Sequence, residues 1–483
     1  MAPSTDTRAL LPLTARSRDG LVTTVPAVGL GGVLRSFLIL LLAVCSAACA
    51  DGPKQRELEW IRTNAIPLKT CEAGHGFDDL QPLKALIGNA HIVSLGECTH
   101  GTREVFQMKH RLVEYLASQG GFTIFAIEAN MPEAYRLNEY VLKGKGDPKQ
   151  LIVGMYFWTW NTEEVLAMVE WMRQFNQSGK GRIEFTGFDM QTPDVAMEIV
   201  LEFLRRTDPQ RLKDIEDTYH NIKNGRFRKK SSRAEFTGPT KENREDDYLD
   251  PAVASKTCGE LVAAMEASRD AYVKILSHDE ADWAIQNARI VHQCVQLAAN
   301  QTQRDESMAM NVRWILDQAP KDTRIILWAH NGHVGREDNR GSGSMGRFLD
   351  KWYGKDQIVI GFAAGEGQYT ARAQGRDLRS DNKLKPPVKT SYEEYFHASA
   401  LRMFMLDLRN ADKDDPASGW LTRPHLLRSI GALAMDGQFF SADICSLYDA
   451  IIYFDTTTAS RSLPGAGARH QRQQAIRSGA FEH

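Results

Sequence analysis

The stretch SLGECTHGT, Ser94 to Thr102, sets a glutamate and a histidine three residues apart between two glycines, directly after the apolar run HIVSL. A carboxylate that fixes one tautomer of an imidazole leaves the other ring nitrogen free to take a proton from water, so Glu97 and His100 are candidates for general-base chemistry. A second pair, His330 and His333, falls in HNGH behind RIILWA. Two histidines at that spacing can ligate a metal, act as acid or base, or close a turn by binding backbone. Glu128 ends FTIFAIE and Asp189 ends FTGFD. Carboxylates in such places are costly to bury alone, so each is expected to pair with a histidine or an arginine. Arg103 opens the segment after the first loop, where a cation opposes a helix dipole. A role toward substrate or oxyanion, or a carboxylate partner, explains it better than helix stability does. Trp160, in WTWNTEE, reads as a wall of the same site. Cys98 lies inside the first loop, but a histidine–carboxylate pair activates water without a thiol. There is no GxSxG elbow and no HExxH spacing, so neither a serine nucleophile nor a resident metal or other cofactor is expected.

These residues share a position. HIVSL, FTIFAI, RIEFTGF, RIILWA, QIVIGF, MFMLDL and DAIIYF are short β-rich runs, apolar on both faces, as strands inside a mostly parallel sheet are. Helical patterns lie between them: Val105, Met108, Leu112 and Leu116 form one apolar stripe, and Val165, Met168, Trp171 and Met172 another. The pattern predicts an α/β fold with a mostly parallel central sheet and flanking helices. In such sheets ligands gather beyond the carboxyl ends of the strands, where the candidate residues fall. About Pro193 to Pro320 reads as a helical insertion that walls a deep cleft, interrupted by the charged stretch from Gly225 to Pro251. Thr102 is expected to cap the helix it precedes, whose free N–H groups would face a developing oxyanion.

The bulk composition narrows the partners. The 483 residues carry 42% apolar side chains, enough for a large core, and 59 basic against 61 acidic groups leave a net charge of -2. No global field favours nucleic acid or an acidic membrane surface, so a small-molecule partner is expected. Behind Arg35, SFLILLLAVCSAACA is short for a membrane span and ends in Ala48-Cys49-Ala50, a small-residue pattern like a secretory cleavage site. Residues 1–50 are therefore expected to target the chain for export, to the periplasm, with Cys45 and Cys49 as candidates for a lipid anchor that would be its one membrane contact. Five scattered cysteines remain beyond it, allowing one or two disulfides at most. The catalytic domain is expected over 51–464, with a disordered tail at 465–483.

The ordered pieces LGECTHGTREVFQMKHRLVEYL, FAIEAN, WTWNTEEVLAMVEWMRQFN, FTGFDMQ, RDESMAMNVRWIL, WAHNGHV, MGRFLDKWYG, MLDLR and IIYFDTTTAS run from about Trp60 to Ser460 and resemble the erythromycin esterase family. The resemblance implies an α/β core with a deep cleft and metal-independent ester hydrolysis that opens a macrolactone ring, hence antibiotic inactivation. It puts the family's loop glutamate and histidine on Glu97 and His100, the next strand-end glutamate on Glu128, and the paired histidines on His330 and His333. Cys98 stands where a small residue is common, a departure that would narrow the site. The expected mechanism is direct attack of water with His100 as base, and His330 or His333, helped by Arg103, on the carbonyl oxygen. Two other readings stand beside it: a metal-dependent peptide or ester hydrolase with Glu97, His100, Glu128 and His333 as ligands, and a periplasmic binding module without catalysis.

Overall fold

In the computed structural model the described residues are 53–224, 249–337, 343–373 and 377–464. The expected export segment, the charged stretch up to residue 248 and the tail lie outside them. All seven sequence-read runs are strands of one nine-stranded sheet. In chain order its strands are β1 (Ile66–Pro67), β2 (Ile92–Leu95), β3 (Ile124–Asn130), β4 (Glu184–Asp189), β5 (Ile325–Trp328), β6 (Gln357–Arg372), β7 (Leu378–Leu384), β8 (Met403–Asp407) and, last, β11 (Ala450–Thr457). The spatial order is β1-β8-β11-β6-β2-β5-β3-β4, and β7 folds back antiparallel on the long β6. From β11 to β4 every pairing is parallel. β8 runs antiparallel to β11, and β1 antiparallel to β8.

Both faces are covered, which is why the central strands carry unbroken apolar runs. Along β5, Ile325 and Leu327 pack into one buried cluster while Ile326 and Trp328 pack into the other. β2 divides likewise, with Ile92 on one side and Val93 and Leu95 on the other. The second face is closed by helices Arg103–Gln119, Met131–Lys143 and Glu163–Gln177. The stripe Val105, Met108, Leu112 and Leu116 is buried there as its spacing requires.

Between Asp194 and Gln318 the described residues form six helices. Four strands outside the seven runs, β1, β7, β9 (His425–Arg428) and β10 (Phe439–Ala442), escaped the sequence reading because they are two to seven residues long or largely polar. β9 and β10 pair antiparallel as a separate hairpin. The five described cysteines, Cys71, Cys98, Cys258, Cys294 and Cys445, are thiols rather than disulfides.

Candidate active site

The loop after β2 must turn in close quarters. A Cβ on Gly96 would collide with Asn331 Oδ1, and one on Gly101 with the Thr370 carbonyl, so glycine is required at both ends of the ECTH segment. Asn331 in turn pairs with β6 as a strand would, accepting from Phe362 N–H at 3.1 Å and donating to Phe362 O at 2.7 Å. Its own N–H donates to the Glu97 carbonyl at 2.9 Å. The two sequence motifs are thereby locked to each other.

Glu97 is fully buried. Its Oε1 lies 2.6 Å from His100 Nδ1, and its Oε2 accepts from Lys109 Nζ at 2.7 Å and from Trp328 Nε1 at 2.7 Å. Burial pushes the Glu97 carboxyl up, but Lys109 and His100 more than offset this and hold it below the usual range. Burial draws Lys109 down to about 8, against the pull of Glu97. The anion therefore persists at neutral pH and binds His100 through Nδ1–H. Nε2 is the ring nitrogen that Glu97 does not engage, and His100 lines a cavity of about 960 Å3.

A second charged centre lies across β5. The end of β3 is irregular in register between Ile127 and Asn130, and Glu128 sits in that irregular stretch of the strand. Glu128 Oε1 accepts from Arg304 Nη2 at 2.6 Å, and Oε2 accepts from His330 N–H at 2.9 Å. Arg304 also reaches Asp189 through Nε (3.1 Å) and Nη2 (2.8 Å). Burial pushes Glu128 up, but His333 and Arg304 outweigh it and keep the carboxyl far below the usual range. His333 Nδ1 is 2.7 Å from Asp305 Oδ1, and its Nε2 lies 3.0 Å from Arg304 Nη1 and 3.4 Å from Glu128 Oε1. Burial would lower His333, yet Glu128 and Asp305 raise it above its ordinary value. His330 differs: its Nε2 is 3.1 Å from the Ile430 carbonyl and its Nδ1 accepts from Gly332 N–H at 3.1 Å. Both nitrogens are spent on backbone, and burial takes it down to about 3.

His100, Glu128, His330, His333 and Trp160 thus share one cavity. Trp160 donates Nε1–H to the Glu128 carbonyl at 3.0 Å and meets the His100 ring edge-on. Asp189 stands behind the wall and acts through Arg304. Arg103 does not join them. It pairs with Glu164 at 3.4 Å and lines a separate cavity with Gln107 and His110. Those residues share one helix face, about 120° from the face of Lys109. Nor does the helix start face an oxyanion: Arg103 N–H donates to Thr458 O at 2.9 Å, and the Thr102 hydroxyl makes no cap. Cys98 packs with Trp158, Tyr369 and Ile430 rather than lining the cavity, and burial pushes its thiol up to about 12.

Sequence reasoning missed Lys109, Trp328, Arg304 and Asp305. Lys109 had a signal, a cation four residues after Val105 on a buried stripe; Arg304 had only the need of two carboxylates for a cation. From the 193–320 segment the cavity takes Arg304 and Asp305, while the rest of its wall comes from His100, Glu128, 156–160, 191–192, 330–333, Glu337, 343–344 and residues within 427–448. Among the described residues no group of three or more His, Cys, Asp or Glu side chains is arranged to hold a metal ion. The oxygens such an ion would need are taken by Lys109, Trp328, His100, Arg304 and the His330 N–H.

An α/β sheet with an oriented histidine and buried carboxylates at its strand tips is a geometry suited to acid–base chemistry. The erythromycin esterase family model matches residues 117–457, and the chain belongs to that family. The match holds Glu128, Asp189, Arg304, His330 and His333, and begins after the Glu97–His100 loop. Erythromycin esterase type II of Escherichia coli is 24% identical over 426 residues, 83% of this chain and 98% of that protein. A Bacillus cereus protein of known crystal structure is 27% identical with a TM-score of 0.71, covering 85% of this chain and all of that one. The erythromycin esterase EreC, a His-to-Asn mutant in its open conformation, shares the fold at 15% identity with a TM-score of 0.60, over 80% of this chain and 96% of its own. Family membership carries the broader class, hydrolase, to this chain.

Proposed function

We propose that the chain hydrolyses an ester or lactone by direct attack of water, with the ring of a macrolide antibiotic as its substrate. The observation that carries the reading is His100: Nδ1 is held at 2.6 Å by a buried carboxylate and Nε2 is left to a large cavity. In this mechanism His100 Nε2 takes a proton as the water oxygen bonds to the carbonyl carbon, and the C=O electron pair moves to oxygen. Arg304 and His333, both lining the same cavity, place positive charge and N–H dipoles beside that oxyanion. His330 is set aside for this role because both its nitrogens serve backbone. Collapse breaks the acyl C–O bond, and His100 returns its proton to the leaving alkoxide. The products are a carboxylate and an alcohol, together one water heavier than the substrate.

Mass spectrometry of erythromycin incubated with the protein in the presence of a chelator is expected to show a gain of one water. His100→Ala should lower kcat by roughly 10²- to 10⁴-fold with the fold retained. Full activity in His100→Ala removes the assigned base, and loss of activity on chelation favours the metal-dependent reading instead.

A further inference from the structure

The hairpin of β9 and β10 brings apolar side chains to the cavity with little protein covering them. Met435 is 36% and Phe440 44% exposed, and both line the cavity that contains His100. Leu433, on the same hairpin, is 49% exposed. Exposed large apolar groups gathered at one concave site mark a surface kept for a ligand, whereas scattered ones need no explanation. The same cavity is lined by Tyr156, Phe157 and Trp158. Tyr156 has a φ of 69°, a left-handed conformation that is rare for an aromatic residue and persists where surrounding structure enforces it.

The hairpin is also fixed with respect to the reacting groups. Ile430 N–H donates to the Cys98 carbonyl at 2.8 Å, and the Ile430 carbonyl takes the His330 Nε2 bond. Arg428, fully buried, donates to the Ala364 carbonyl at 3.1 Å and the Gly365 carbonyl at 2.7 Å, both on β6. Anything held against Met435 and Phe440 is thereby held at a set position relative to His100. A volume of about 960 Å3 is far more than a small acyl ester needs and lies at the upper end for drug-sized ligands.

We propose that Met435 and Phe440 are specificity-determining residues that hold the apolar face of a bulky ester against the Tyr156–Trp158 wall, so that the enzyme selects large, hydrocarbon-faced esters over small ones. The proposal rests on the esterase reading for its kinetic test, and binding provides an independent one. The variant is Met435→Ala/Phe440→Ala, two exposed positions whose truncation leaves the core intact; an unchanged melting temperature checks this. With erythromycin as the bulky lactone and p-nitrophenyl acetate as the small ester, KM for the lactone should rise about tenfold or more with kcat unchanged. The small ester should be unaffected, and Met435→Leu/Phe440→Leu should restore much of the loss. An equal change for both esters, or for neither, overturns the proposal. If the wild-type protein turns over neither ester, the esterase reading fails by itself. Calorimetry with erythromycin then decides: binding weakened about tenfold by the double variant sustains the apolar wall, and unaltered or undetectable wild-type binding overturns it.

Discussion

Glu97 after β2 and Glu128 at the end of β3 flank strand β5, and both are buried anions held below the usual carboxylate range. Their cations differ. Lys109, a compact ammonium on a single stem, takes one oxygen of Glu97 and leaves the other to orient His100. Arg304 presents a planar fork that spans Glu128 and Asp189 together and brings a third contact to His333. The first centre therefore ends in a histidine with one nitrogen toward the cavity. The second ends in a histidine set between two carboxylates, which raise its basicity, and the Arg304 guanidinium, which opposes them. A proton acceptor and a fixed centre of positive charge arise at neighbouring strand tips from the same ingredients, because the geometry of the neutralising cation is different.

Removing each cation tests that difference. Arg304→Met strips the counter-charge from two buried carboxylates at once, and the expected loss of unfolding free energy lies at the upper end of the range for a broken buried pair, about 5 kcal/mol. Urea denaturation measures it. Lys109→Met leaves Glu97 with His100 and Trp328 still in place, so the expected loss is nearer the lower end, about 3 kcal/mol, with a fall in kcat because the anion that orients His100 becomes easier to protonate. Equal losses in the two variants would break the comparison.

Much of this was legible in the sequence, and the reason is local. A strand buried on both faces writes an apolar run, and the residues just past its carboxyl end must sit at the sheet's edge, so Glu97, Glu128 and His330 could be read in place. Arg304 could not. It lies 115 residues beyond Asp189 at the start of a helix whose own pattern gives no hint of which strand tip it meets. The pairing depends on how the intervening helices pack, a long-range fact. Arg103 misled for a related reason: its neighbourhood in sequence pointed to the site, while its angle around the helix turned it to Glu164. The β9–β10 hairpin was invisible because short strands with half-exposed faces leave no periodic signal.

The two histidines three residues apart are separated by the sign of a pH slope. An unfolded histidine titrates near ~6.5. His333 binds its proton more tightly in the folded chain, so its stabilisation is complete below that pH and is lost as pH rises through its higher folded value. His330, drawn down to about 3, behaves in the opposite sense: its stabilisation is complete above about 6.5 and is lost as pH falls toward 3. Unfolding free energies measured against pH for the wild type, His333→Gln and His330→Gln isolate the two. His333→Gln should flatten the decline on the alkaline side, and His330→Gln part of the decline on the acid side, where the depressed carboxyls Glu97 and Glu128 also contribute. The sign of each slope change is the readout, one variant acting on the alkaline limb and the other on the acid limb. If both variants flatten the same limb, the two rings share one electrostatic environment, and the division of labour between a backbone-bound and a carboxylate-bound histidine falls with it.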